Sequence, residues 1–594
     1  MADLQAPQTG GQGAAGNDPA GNDPADEIET LKVLVTAQEA YPALEHLFLT
    51  ARRDIRASFR VFDLDTKLRS DAGRAIGETW FDLIVHVLRG GVEIDMVIAD
   101  FDPIAAAELH RGTWRSIRQF AAAEALAGAH SKLTVTAALH PARAGIAARV
   151  LFWPLALAKL RRHARALDAL PAPQRAARLR DMPHLKPHLA SGIGGAALRA
   201  RLGPPPPVLS PVTHHQKLAC FDGERLYIGG LDLDERRYDT KAHARAAEAT
   251  WHDVQLVVSG PVVAQARAHL RGFQSWTKGT EAPPAQDQSA ARTAARAANG
   301  ARAAPPQHPA PPEPSAPSQQ RAPKGSAFVT TLSRPRRFGP LHLSPHRLRA
   351  EIAQAHIEAI HGARRLIYIE TQFLRDQSVS RALCAAARAR PDLQAVVILP
   401  AAPEDVAFEN NTGPDARFGE YLQARNLRHM RRAFGPRLFV GAPVRRAPAP
   451  ASKADARAGK AARTQTAPAP RAQLARAPII YVHAKVSIFD DQSAIVSSAN
   501  LNGRSLYWDT EAGLRLTQRD QVETLRRAVF SHWLCEAASP AHFDLETARA
   551  AWQATARTNG ARPPQTRAGF IVPYDLRAAE GFGAPLPAVP PEMV

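Results

Sequence analysis

Cysteine is almost missing from this chain. Cys220, Cys384 and Cys535 stand far apart with no CxxC spacing, which argues against a disulfide framework and a cysteine-based zinc site. Buried free thiols in a reducing compartment are the expectation. Long apolar runs are missing too. Nothing reaches the roughly 18 residues that a transmembrane helix needs, and the longest candidate, Val150 to Leu160, is short and carries Pro154. The opening MADLQAPQTGGQGAAGNDPAGNDPADE has neither a charged n-region nor an apolar h-region, so no Sec signal peptide is expected. The reading is a cytoplasmic protein, with peripheral attachment to a membrane left open. No acidic cluster argues for calcium, and neither a metal nor a cofactor is expected.

Positive charge is not spread over the whole chain either. The formal charge of +19 invites a nucleic-acid reading. Residues 141–203 hold twelve Lys/Arg against two acidic residues, 441–476 hold eight against one, and 275–325 hold six against three. These segments carry the entire excess, and the remainder is nearly neutral. A basic binding face on the folded core is therefore not what the charge describes.

What the chain does have is 594 residues, 45% of them apolar, enough for two ordinary domains or one bilobal unit. Residues 1–27 are rich in Gly, Asn, Asp and Ala and read as disordered. A first lobe is expected over 28–276, with a basic helical insert at 141–203. An Ala/Pro-rich linker follows at 279–325. A second lobe is expected over 328–579, interrupted by a disordered basic insert at 441–476, and residues 580–594 read as an irregular Pro-rich tail. The lobes repeat a pattern. Ala51-Arg52-Arg53 leads from a helical segment into DIRASFRVF, and Ala363-Arg364-Arg365 leads from another into LIYIETQFL. Each is followed by a helix and a β-like run, at 92–102 and 393–400. Strands alternating with helices predict an α/β fold with helix-covered sheets.

Each lobe also carries His-x-Lys-x4-Asp: His215, Lys217 and Asp222 in one, His483, Lys485 and Asp490 in the other. After six intervening residues comes a pair of small ones, Gly229-Gly230 and Ser497-Ser498. In His-x-Lys both side chains leave one face of a strand. An imidazole beside an ammonium is unfavourable unless an anion lies between them, and a phosphodiester fits: lysine holds its oxygens and imidazole attacks phosphorus. A second imidazole can protonate the leaving oxygen. Two such motifs in one cleft would supply nucleophile, acid and phosphate clamp without a metal, and small residues just downstream permit close approach of backbone to phosphate.

The second motif, HAKVSIFDDQSAIVSSANLNGRS, resembles the phospholipase D superfamily pattern HxKxxxxDxxxxxxGSxN, with Ser497 in place of the usual glycine. The first, HHQKLACFDGERLYIGGLDLDERRYDT, is similar to the form found in eukaryotic-type phospholipase D. There GGxD, here ending at Asp232, is followed by a GRYD-like sequence, here Arg236-Arg237-Tyr238-Asp239. Trp251-His252-Asp253-Val254 followed by SGPVV, and YIETQFL, resemble two further family segments. The likeness covers residues 30–275 and 328–540. It implies two similar α/β/α sandwich lobes related by pseudo-two-fold symmetry, with a shared active site at their interface. It makes His215 the nucleophile and His483 the general acid. Lys217, Lys485 and Asn500 would bind phosphate with Ser498 close by, and Asp253 and Glu511 would sit behind the imidazoles. Asp222 and Asp490 belong to the same catalytic motif, although support of the local fold is the reading favoured for both. Asp232 departs from the asparagine of the simpler pattern, which puts a phosphate contact from that position in doubt.

The flanking motifs point to glycerophospholipid, with water or an alcohol as acceptor and a membrane surface as partner. Alternatives are a cardiolipin synthase-type phosphatidyltransferase and a nucleic-acid phosphodiesterase of the same superfamily. A monomer is expected. The stretch 146–165 interleaves Ile146, Val150, Leu151, Trp153, Leu155 and Leu160 with Arg149, Lys159, Arg161, Arg162 and Arg165. A basic amphipathic stretch of this kind suits an anionic membrane, or a helix packed on its own lobe. Pro154 is expected to kink or split it.

Overall fold

A computed structural model describes residues 28–190, 197–201, 203, 206–278, 325–336, 341–342, 344–446, 471–587 and 589–593. The stretches read as a disordered start, 1–27, most of the linker, 279–324, and the centre of the second basic insert, 447–470, lie outside the described residues.

The fold is mixed α/β, built on two large sheets. The first holds β1 (Thr30–Val35), β2 (Asp54–Phe59), β3 (Glu93–Ala99), β4 (Leu133–Ala138), β5 (Leu218–Phe221), β6 (Arg225–Gly229) and β7 (Val254–Ser259), in the order β1-β7-β6-β5-β2-β3-β4. The second holds β8 (Ala327–Arg334), β9 (His346–Ala350), β10 (Leu366–Thr371), β11 (Gln394–Ile398), β12 (Leu438–Pro443), β13 (Lys485–Phe489), β14 (Ser493–Ser497), β15 (Glu511–Leu516) and β16 (Ile571–Pro573). Its order is β9-β8-β15-β14-β13-β10-β11-β12-β16. Stripped of β9 and β16 at its edges, the second sheet has the strand order of the first. The register repeats as well: Phe221 stands opposite Ile55 across β5 and β2, and Phe489 opposite Ile367 across β13 and β10.

Period-two alternation sorts the strand side chains into cores. Leu218, Cys220, Leu226, Ile228, Leu256 and Val258 of the first sheet join Val486, Ile488, Val496 and Leu514 of the second in one buried cluster. The two sheets thus share a core. Alternate residues face away from it. Ala219, Phe221 and Tyr227 pack under α1 (Thr36–Thr50), while Ile367, Ile369, Phe489 and Ile495 pack under α3 (Glu351–Gly362). Helix α1 buries Ala37, Ala40, Tyr41, Leu44, Leu47 and Phe48, the three-four spacing of one helical face.

Two stretches depart in part from expectation. The stretch with Pro154 forms one helix, α2 (Ile146–Asp168). Pro154 does not split it because Pro154 and Val150 lie on an exposed face, where the carbonyl freed by the missing N–H can bind water. The tail is not irregular throughout: α5 (Leu576–Phe582) runs past its expected start, and Pro591–Met593 forms a 3-10 turn.

Candidate active site

The two motif histidines do not lie within strands, as the sequence pattern suggested. His215 and His483 sit on the extended segments that lead into β5 and β13, and each segment pairs with the other half of the chain. His215 N–H donates to the Thr510 carbonyl at 2.8 Å, and Thr510 N–H returns to Thr213 at 3.0 Å. Likewise His483 N–H donates to the His252 carbonyl at 2.8 Å, and His252 N–H returns to Tyr481 at 2.9 Å. Both segments need such partners because a buried backbone N–H without one is strongly destabilising.

This crossing places each imidazole against a carboxylate from the opposite half. His215 Nδ1 lies 3.0 Å from Glu511, and His483 Nδ1 lies 2.6 Å from Asp253 Oδ2. Both carboxylates are buried. An Nδ1–H donated to a carboxylate fixes the tautomer and leaves Nε2 unprotonated. Lys485 Nζ stands 2.9 Å from His483 Nδ1, but one nitrogen cannot accept from lysine and donate to Asp253 together. We assign the proton to the shorter, charge-assisted contact with Asp253. The lysines also turn back on their own motifs: Lys217 Nζ donates to the His215 carbonyl at 2.6 Å, and Lys485 Nζ donates to the His483 carbonyl.

Burial dominates the electrostatics. It lowers Lys217 to about 8 and Lys485 to about 7, raises Asp253 to about 6 and Glu511 to about 8, and holds both imidazoles well below their ordinary value. Each shift disfavours the charged form in a dry pocket. An anion bound between the lysines would reverse their shifts. In the free protein the ammonium forms are lost as pH rises through about 7 to 8, far below the usual lysine range. The alkaline limb of kcat/KM is therefore expected in that window, and Lys485→Arg should move it upward, since guanidinium stays charged. A profile flat to about pH 10 would contradict the assignment.

The other expected residues divide. Asn500 is buried with its Oδ1 unpartnered, consistent with a role that only a ligand would reveal. Ser498 is placed differently from the expectation: its hydroxyl donates to Glu511 Oε2 at 2.5 Å and accepts from Ala512 N–H at 3.0 Å. It stands behind the imidazole rather than at an open phosphate position. The matching position in the other half, Gly230, admits no side chain, because a Cβ there would lie 2.2 Å from Asp253 Oδ1.

The structure places Asp222 and Asp490, both members of the His-x-Lys-x4-Asp motif, against backbone rather than against an imidazole. They lie past the far ends of β5 and β13, in the left-handed region with φ of 55° and 56°. Asp222 accepts the N–H groups of Arg52, Arg53 and Asp54 at 2.9, 2.7 and 3.1 Å. Asp490 accepts those of Arg364, Arg365 and Leu366 at 2.6, 2.9 and 2.7 Å. Each carboxylate thus fixes the turn between a helix and the central strand beside its motif.

Sequence reasoning gave no role to three arginines. Arg60 and Arg237 approach Asp232 Oδ2 at 3.8 and 4.0 Å, with Lys217 at 3.8 Å. Arg504 reaches Thr213 Oγ1 at 3.3 Å and acts on His215 through its charge. Asp232 offsets part of the charge of the first cluster while its Oδ1 accepts Val61 N–H at 3.0 Å. Arg237 was visible in its RRYD-like sequence, and Arg504 in the residues that follow Asn500.

Residues 356–533 match the family described as "Cardiolipin synthase, PLD-like domain". A stretch of 47 residues is 45% identical to phospholipase D A of Dictyostelium discoideum, a match that spans 8% of this chain and 4% of that protein. Among solved structures, phosphatidylserine synthase of Haemophilus influenzae Rd KW20 aligns at 12% identity with a TM-score of 0.43, over 85% of this chain and 87% of that one. Polyphosphate kinase of Porphyromonas gingivalis aligns at 10% identity and a TM-score of 0.35, over 84% and 49%.

Proposed function

We propose, from the premise that the chain belongs to the phospholipase D superfamily, that it cleaves or transfers the phosphatidyl group of glycerophospholipids through a phosphohistidine. The crossed pairing of His215 with Glu511 and His483 with Asp253 is the observation that carries this reading. His215 Nε2 attacks phosphorus while His483, which in the substrate complex carries a second proton on Nε2 stabilised by Asp253 and the bound phosphodiester anion, gives that Nε2 proton to the departing head-group oxygen. His483 then takes a proton from water or an alcohol, whose oxygen displaces His215. Lys217 and Lys485 hold the non-bridging oxygens, with Asn500 completing the clamp. The two sheets with their repeated strand order are, in this reading, lobes over 28–276 and 328–579 related by a pseudo-two-fold axis through the site.

Helix α2 supports a lipid surface as partner. It packs through Ala156, Leu160, Ala164 and Leu167, yet leaves Val150, Leu151 and Leu155 at 53, 71 and 63% exposure. Leu341, beside the residue that accepts Gly145 N–H at the head of α2, is 79% exposed. Such a patch, with Lys159, Arg161 and Arg162 exposed further along the helix, suits insertion at an anionic interface. No described helix is long and apolar enough to cross a membrane. Changing Leu151 and Leu155 together to Glu is expected to weaken binding to phosphatidylglycerol-containing vesicles at least about tenfold. Turnover of a soluble short-chain diester should be unchanged. Undiminished vesicle binding would remove α2 as the anchor.

The family description at 356–533 favours one second reading, a transferase with a lipid alcohol as acceptor. Both readings predict that mixed phosphatidylcholine/phosphatidylethanolamine vesicles with excess primary alcohol yield a phosphatidyl-alcohol, lost in His215→Ala. Cleavage of bis-p-nitrophenyl phosphate or DNA without any lipid product would overturn the lipid substrate.

A further inference from the structure

Directly behind the backbone that holds His483, three other histidines meet. His243 lies in the loop before Trp251, His252 follows Trp251, and His532 projects from α4 (Arg519–Leu534). All three are buried, and His243 is held in the left-handed region at φ 47°. Nε2 of His243 and Nε2 of His532 are 3.1 Å apart. A ring nitrogen of His252 completes a group whose nitrogens all lie within 4.8 Å of one another.

Two of these rings have a carboxylate behind them. Asp239 Oδ2 lies 2.6 Å from His243 Nδ1, and Glu370 Oε1 lies 2.5 Å from His252 Nε2. Both carboxylates are fully buried, and among the described residues each has only an imidazole within ion-pair distance. Neither nitrogen of His252, nor Oε1 of Glu370, makes a well-directed hydrogen bond.

Aromatic packing explains part of this. His252 rests on Trp533 at 4.2 Å, and His532 faces Phe570 at 5.9 Å. Neutral donors and one guanidinium account for part of the charge. Asp239 also accepts Trp251 N–H at 2.8 Å and feels Arg445, while Glu370 accepts Tyr368 O–H at 2.7 Å and Trp533 Nε1–H at 2.9 Å. The Glu370 Oε1–His252 contact is left without a counter-charge, and a buried charge must be paired. A divalent ion supplies that counter-charge directly. Imidazoles bound to tetrahedral zinc at about 2.0–2.1 Å place their nitrogens about 3.3 Å apart, close to the His243–His532 separation. The carboxylate behind each ring is the arrangement that orients metal-bound histidines.

We propose that His243, His252 and His532 bind a divalent ion of the zinc class, oriented by Asp239 and Glu370. Two ligands come from the first half of the chain and one from the second, so the ion fastens the halves together. It does so beside the candidate active site, because the His252 carbonyl accepts the His483 N–H. A surface cleft lined by Glu39, Lys241, Ser531 and Cys535 reaches His532 and gives the ion and a fourth, water ligand a way in. The expectation of no metal rested on cysteine spacing, which histidines brought together by folding do not obey.

The test is metal content of the full-length protein, stripped with chelator and reloaded with Zn²⁺. One zinc per chain is expected, with affinity about 10–100-fold weaker in Asp239→Asn and binding lost in His532→Gln. Loading with Co²⁺ provides a second readout that needs no variant: intense visible bands of a four-coordinate nitrogen site are expected. Failure of the folded protein to retain zinc, retention undiminished in His532→Gln, or only weak octahedral cobalt bands would each overturn the proposal.

Discussion

His483→Ala is expected to lower release of an ordinary lipid head group at least about a hundredfold, and to spare the first release of p-nitrophenol from an activated diester. His215→Ala should lose both reactions. The difference follows from the roles argued above. An alkoxide leaves only if protonated, so the step needs an acid, whereas p-nitrophenolate leaves unaided. The nucleophile has no such bypass. Both histidines have the same surroundings, a carboxylate on Nδ1 and a lysine two residues on, so static geometry alone gives them equal standing. Comparing leaving groups separates them. Equal losses of both variants on both substrates would contradict the assigned order, and near-normal activity in either would end the two-histidine mechanism.

The second large effect concerns stability rather than chemistry. Asp490→Ala should destabilise the protein by about 3–5 kcal/mol, seen as a lower denaturant midpoint. The substitution strands three N–H groups at Arg364, Arg365 and Leu366. Asp490→Asn keeps one accepting oxygen and tolerates the positive φ, so its loss should be smaller. Asp222→Ala should fall below Asp490→Ala, because the turn it fixes is more exposed. Folded Asp490→Asn protein should retain turnover, since the carboxylate touches neither imidazole. A hundredfold fall in turnover with stability intact would keep Asp490 in the catalytic set.

Several of these features were legible in the sequence. Covalent spacing fixed the two motifs, and the repeated Ala-Arg-Arg before an apolar run marked the turns that Asp222 and Asp490 hold. Asp253 and Glu511 were legible as imidazole partners through family resemblance. Which carboxylate served which histidine was not, because that depends on how the two sheets dock through their shared core. Arg60 escaped for a related reason: a cation recruited from outside the motif has no fixed interval from the motif it serves. The continuity of α2 through Pro154 depended on which helix face met solvent. The cluster of His243, His252 and His532 joins residues almost 300 positions apart, a proximity only the fold supplies.

The most direct test of the central claim is to quench His483→Ala during reaction with a p-nitrophenyl phosphodiester and locate the adduct by mass spectrometry. The account predicts a burst of about one p-nitrophenol per site and a phosphoryl group on His215, stalled because His483 is no longer there to activate water. No burst together with no adduct, or an adduct on any residue other than His215, would contradict it.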